Sequence, residues 1–258
     1  MTGALEAALR ARRDVGGKSL VVYLTGGLGV WQDMIRAAAD AGADAIEVGI
    51  PFSDPVMDGP VIQEANEISL AGGATPSSIL DGVATLDAGV PIAVMTYANL
   101  VYRFGWTRFA DRCAEVGVAA AILPDIPLEE STTWCDAADN AGVETVMLAA
   151  PTGSDERLAR VCARSRGFVY GVGLLGITGE RESLAASATE IATRLKRITD
   201  TPVLVGVGIG TPDQAAEVCR VADGVVVGSA MVRSMLTEGT PAAIAALVSS
   251  FRGALDLC

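Results

Sequence analysis

Short runs rich in Val, Ile and Leu alternate with longer alanine-rich stretches along nearly the whole chain, and this alternation is its most constraining feature. The runs are SLVVYLTG (19–26), AIEVGI (45–50), PIAVMTY (91–97), AAAILPD (119–125), ETVMLAA (144–150), FVYGVG (168–173), PVLVGVG (202–208) and GVVVGSA (224–230). Each is apolar on both faces, as parallel strands covered by helices require. Between them, WQDMIRAAADAGA, WTRFADRCAEVG, STTWCDAADNAG and TPDQAAEVCRVADG carry apolar residues at three- and four-residue spacing, the pattern of amphipathic helices. Ser131 and Thr211 stand where N-caps belong, Pro212 follows at a first helical position, and Gly42, Gly117 and Gly142 stand where helices end. Eight strand–helix units without a linker or low-complexity stretch predict an α/β chain folded as one (β/α)8 TIM barrel over residues 1–258, close to the usual length of about 250 for that fold. An open dinucleotide-binding sheet is disfavoured because the first strand lacks a GxGxxG turn.

Two stretches break the regular spacing. Residues 51–75, PFSDPVMDGPVIQEANEISLAGGAT, predict a loop and an extra helix after strand two, and 174–184, LLGITGERESL, a long loop after strand six. Barrel active sites are built from loops at the carboxyl ends of strands, so both insertions are expected over the mouth as lids.

Composition removes several function classes. A net charge of -12 and a pI near 4.4, without any Lys/Arg-rich run, disfavour nucleic acid and anionic membrane surfaces as partners. The amino-terminal residues lack a signal-peptide core, and no apolar run approaches the roughly 20 residues that span a bilayer, so a cytoplasmic location is expected. Cys113, Cys135, Cys162, Cys219 and Cys258 are odd in number and include no CxxC pair, which predicts reduced thiols. The chain has no histidine, which eliminates Ser-His-Asp and Cys-His machinery and imidazole acid/base chemistry. Its lysines are Lys18, just before strand one, and Lys196, in a helix; neither can form a Schiff base inside the barrel.

What remains is carboxylates and glycines. Glu47 lies inside strand two, where Ile46 and Val48 point one way and Ala45, Glu47 and Gly49 the other. An interior Glu47 is expected to have its pKa raised by desolvation, as suits a general acid/base near neutrality. Asp54 and Asp58 follow on the next loop, and Asp125 ends strand four. These carboxylates could act as a metal-free acid pair or hold Mg2+ through oxygen ligands, and their spacing does not separate the two. The other constellation is glycine at the ends of the last three strands, in GITG (176–179), GVGIGTP (206–212) and GS (228–229). There, backbone N–H groups and a helix amino terminus can hold a phosphate without lysine or arginine.

The motifs ADAIEVGIPFSDPVMDGPVIQ (43–63), MTYANLVYRFG (95–105), ILPDIPLEES (122–131), GITG (176–179), GVGI (206–209) and GSAMV (228–232) together closely resemble the tryptophan synthase alpha subunit family from Leu5 to about Arg252. The resemblance implies a lyase that cleaves indole-3-glycerol phosphate to indole and glyceraldehyde 3-phosphate without metal or cofactor. By motif, it gives Glu47 the proton transfers, Asp58 the developing charge at the indole nitrogen, and Thr178 a closure onto Asp58. It puts the phosphate at Gly179, Gly208, Gly228 and Ser229, and an indole pocket among Met95, Tyr97, Leu123, Leu148, Tyr170 and Val207. It also implies a pyridoxal-phosphate-dependent beta partner in an alpha2beta2 heterotetramer. The sequence departs from the family at Gly26-Gly27-Leu28-Gly29, where a polar turn is usual, and at Gly173-Leu174-Leu175, which lacks polar residues. A stand-alone indole-releasing lyase of secondary metabolism, and a ligand-sensing activator of the partner, are the alternatives.

Overall fold

The computed structural model describes residues 2–173, 181–206 and 208–258, with the backbone alone over 181–186. Its strands are β1 (Ser19–Thr25), β2 (Ala45–Gly49), β3 (Ile92–Met95), β4 (Val118–Ile122), β5 (Glu144–Ala149), β6 (Val169–Gly171), β7 (Val203–Val205) and β8 (Gly224–Val227). They pair in chain order, all parallel, and β8 returns to β1, which closes the barrel. The helices are α1 (Ala4–Asp14), α2 (Trp31–Asp40), α3 (Pro60–Ala71), α4 (Pro76–Ala84), α5 (Ala98–Phe104), α6 (Trp106–Glu115), α7 (Thr132–Ala141), α8 (Asp155–Arg164), α9 (Arg181–Lys196), α10 (Pro212–Cys219), α11 (Ser229–Thr237) and α12 (Pro241–Leu255).

The strand alternation sorts the core into two layers. Outward residues such as Leu20, Val22, Leu24, Ile46 and Val48 pack against helices, in one cluster with Met34, Ile35 and Phe251. Inward residues Val21, Ala45, Ala93, Ala120, Val146, Tyr170, Leu204 and Val226 form the barrel interior. The small alanines leave room at the amino-terminal end of the strands, where Leu5 and Leu9 of α1 and Phe168 fill it. Gly3 offers no side chain to cap α1, so the first amide groups turn elsewhere. The Leu5 and Glu6 N–H groups donate to the Glu144 carboxylate of β5 at 2.8 and 3.0 Å. One end of the barrel is thereby plugged, which leaves the carboxyl end as its mouth.

Several local expectations are refined. β6 and β7 are shorter than the runs at 168–173 and 202–208. Ser131 occupies the N-cap position of α7, but its hydroxyl donates to the Leu128 carbonyl instead of capping the helix. Thr211 does cap α10, in a reciprocal box with Gln214, and Pro212 follows it. Gly42, Gly117 and Gly142 all take positive φ just past a helix end, where a side chain would be strained. Both α3 and α4 separate β2 from β3. The loop expected as a second lid lies outside the described residues up to 180, and α9 begins at Arg181.

Candidate active site

β2 carries Glu47 on its inner face, beside its register partners Tyr23 of β1 and Ala93 of β3. Glu47 is 1% exposed, and neither carboxylate oxygen has a hydrogen-bond partner among the described residues. Burial pushes its carboxyl up to about 8, and the nearby Asp58 carboxylate adds to the effect. An unpaired buried carboxyl is costly to ionise, so Glu47 is held as a neutral acid at neutral pH.

Asp58 stands just before α3, whose first residues follow Gly59 and Pro60. The helix reaches back to hold it. Gln63 donates to its carbonyl at 2.7 Å, and the buried Asn66 donates through Nδ2 to its Oδ2 at 3.3 Å. Burial raises the Asp58 carboxyl, while the Tyr97 hydroxyl and the Asn66 amide pull it partly back. Tyr97 braces the same loop: its hydroxyl accepts the Met57 N–H at 3.0 Å, and its ring lies 5.1 Å from that of Phe52.

The two carboxylates line one cavity of about 210 Å³ at the carboxyl end of the barrel. Tyr23 and Tyr170 supply aromatic walls, and Met57, Ile62 and Met95 the apolar ones. Gly206, Gly208, Gly228 and Ser229 form the remaining edge. Gly228 is the N-cap of α11, and among the described residues no side chain caps this helix, which suits the amide groups that open it to an anion. Gly208 has φ of 89°, a conformation that favours glycine.

Of the residues named from sequence, Glu47, Asp58, Met95, Tyr170, Gly208, Gly228 and Ser229 therefore meet in one place. Leu123 and Leu148 do not: they line an adjoining hollow, with Met57 standing in the wall of both. Tyr97 stands behind the 51–59 loop. Thr178, Gly179 and Val207 lie outside the described residues. Asp125 is engaged elsewhere, accepting the Ala98 N–H at 2.9 Å at the start of α5, and Asp54 accepts from Ser53. Among the described residues no group of three acidic, cysteine or histidine side chains converges to hold a metal. The lysines are at the opposite end, Lys18 donating to the Ala222 carbonyl and Lys196 to Asp223, both just before β8.

Sequence reasoning missed Tyr23, Met57, Ile62 and Asn66 as site residues. Tyr23 had a signal in the inward alternation of β1 beside Glu47. Asn66 had one too, as a polar residue on the α3 face shared by Ala65 and Ser69, which are buried.

Residues 9–250 match the family model described as tryptophan synthase alpha chain. The chain belongs to the tryptophan synthase alpha chain family. Relatives in this family include the alpha chain of Streptomyces coelicolor, 44% identical with 96% of this chain and 97% of the relative covered. That of Acidothermus cellulolyticus is 40% identical, with 95% and 94% covered. Among solved structures, a chain of tryptophan synthase from M. tuberculosis superposes with a TM-score of 0.90 at 34% identity, covering 99% of each chain. Tryptophan synthase subunit alpha from Legionella pneumophila gives 0.90 at 30% identity, over the whole of both chains.

Proposed function

We propose that this chain cleaves indole-3-glycerol phosphate to indole and glyceraldehyde 3-phosphate, as the alpha subunit of a tryptophan synthase. The observation that carries this reading is the Glu47 carboxyl, buried and without a hydrogen-bond partner among the described residues, in a cavity that also holds Asp58 and the α11 amino terminus. Glu47 starts protonated and gives its proton to C3 of the indole ring, which becomes an electron-poor iminium. Asp58, as a carboxylate, stabilises the positive charge at the ring nitrogen. Glu47, now ionised, takes the proton of the adjacent side-chain hydroxyl. The carbon–carbon bond breaks, its electron pair restores the indole, the hydroxyl carbon leaves as an aldehyde, and Glu47 is again neutral. A positioned acid/base of this kind contributes roughly 10²–10⁴-fold.

The phosphate binds to backbone N–H groups at Gly208, Gly228 and Ser229. Tyr23, Met95 and Tyr170 bound the indole, and Tyr97 steadies the loop that carries Asp58. The indole passes to a pyridoxal-phosphate-dependent beta subunit in an alpha2beta2 complex located in the cytoplasm. A sensor that merely activated this partner would need neither carboxylate.

The test is to supply the purified chain with indole-3-glycerol phosphate, with and without a beta subunit, and to follow both products. Indole and glyceraldehyde 3-phosphate in equal amounts support the reading. Intact substrate in both cases refutes it.

A further inference from the structure

Asp58 has a charge problem that the cavity does not solve by itself. The groups that face it are Glu47 of β2, Tyr23 of β1, Tyr170 of β6 and Tyr97 at the start of α5, and all are neutral or negative. Among the described residues no lysine or arginine lines the cavity. A half-buried carboxylate with no cation nearby must be held by hydrogen-bond donors if it is to keep its charge. Two side chains do this: the Tyr97 hydroxyl, and the Asn66 amide, which reaches Asp58 from α3, two turns beyond it.

The Asn66 amide is oriented in one sense only. It is 3% exposed, Nδ2 donates to Asp58, and Oδ1 is buried with no hydrogen-bond partner among the described residues. Turning the amide over would bring its oxygen against the carboxylate. Leaving Oδ1 unpaired is itself unfavourable, so the donor towards Asp58 is retained against a local cost.

We propose that Asn66 is a positioning residue for the reaction, one that holds Asp58 as a carboxylate aimed into the cavity while Glu47 keeps its proton. The pair then enters catalysis as one anion and one acid. This rests on the lyase reading. It adds that the division of roles between two neighbouring carboxyls is set partly by a residue that never touches the substrate.

The experiment measures kcat/KM for indole-3-glycerol phosphate against pH in wild type, Asn66→Asp and Asn66→Leu. Asn66→Leu removes the donor at a similar volume; Asn66→Asp keeps the shape and puts a second carboxyl in place of the amide. Losing the donor raises the pH at which Asp58 ionises, so the acidic limb should move up by about one pH unit, with kcat falling more than KM rises. In an Asp58→Asn background, which is itself expected to be severely impaired, Asn66→Leu should lower kcat no further. An unchanged acidic limb in folded variants of an active enzyme overturns the proposal, as does an Asn66→Leu penalty that persists undiminished in Asp58→Asn. A wild type that releases no indole at any pH refutes the lyase reading instead, independently of Asn66.

Discussion

Tyr23 and Glu47 stand side by side on neighbouring strands, and the glycine two residues beyond Glu47 is what lets the phenol lie there: a Cβ at Gly49 would overlap the Tyr23 hydroxyl and ring. The same device recurs across the cavity, where a Cβ at Gly206 would overlap the Tyr170 hydroxyl. Two phenols laid against bare backbone wall the carboxyl away from water. The burial that raises the Glu47 proton affinity thus has an identifiable origin in β1, β6 and two glycines.

Gly49→Ala is therefore expected to cost stability by about 1–3 kcal/mol, the usual range for overpacking. Its effect should be coupled to Tyr23, with a smaller penalty when Tyr23 has been replaced by Leu. Chemical denaturation of the two single variants and the double variant checks this. Additive penalties would mean that the glycine is needed for some other reason.

Burial of Glu47 also gives stability a pH dependence opposite in sign to that of a salt-bridged carboxylate. Unfolded, the group ionises near its ordinary value of about 4.3; folded, it holds its proton until about 8. The native state binds more protons in this window, so this group's contribution to stability is full below pH 4 and falls as pH rises towards 8. Glutamine does not titrate. The Tm of Glu47→Gln relative to wild type should therefore climb between pH 5 and pH 8, by on the order of 5 °C for a domain of this size. A difference between the two melting curves that stays constant with pH contradicts the assignment.

At the glycine edge, Gly228→Ala is the cleaner variant. Gly228 has φ of -108°, which any residue adopts, and an added Cβ there would make ordinary contact with Tyr23 at 3.7 Å. The protein should fold normally while the methyl group crowds the approach to the α11 amide groups. Binding of inorganic phosphate, followed as a rise in Tm, should weaken at least about tenfold. Unchanged phosphate stabilisation in this variant would place the anion elsewhere. Substituting Gly208 is less informative, because its positive φ strains any side chain.

The barrel was legible because its signal is repeated: each strand run is doubly apolar and each helix punctuated, as at Thr211-Pro212 and Gly142. Glu47 was legible for a related reason, since a charge inside an apolar strand conflicts with its surroundings unless it has a use. What could not be read was reach. Leu123 and Leu148 sit at strand ends just as Met95 does, yet the loop carrying Met57 divides them from the carboxylates. Tyr97 could not be assigned to the wall or to the support behind it, because that depends on the path of residues 51–59. Asn66 reaches Asp58 because the chain just before α3 lies against that helix, a placement with only a faint trace in the order of residues.

The central claim is that Glu47 moves the protons of the cleavage, and the most direct measurement is the rate of indole release from indole-3-glycerol phosphate by Glu47→Gln beside wild type. Glutamine preserves the shape but can neither give nor take the proton. Turnover should fall at least about a hundredfold while the circular dichroism spectrum and phosphate stabilisation stay as in wild type. A folded Glu47→Gln protein that releases indole at close to the wild-type rate would contradict the account.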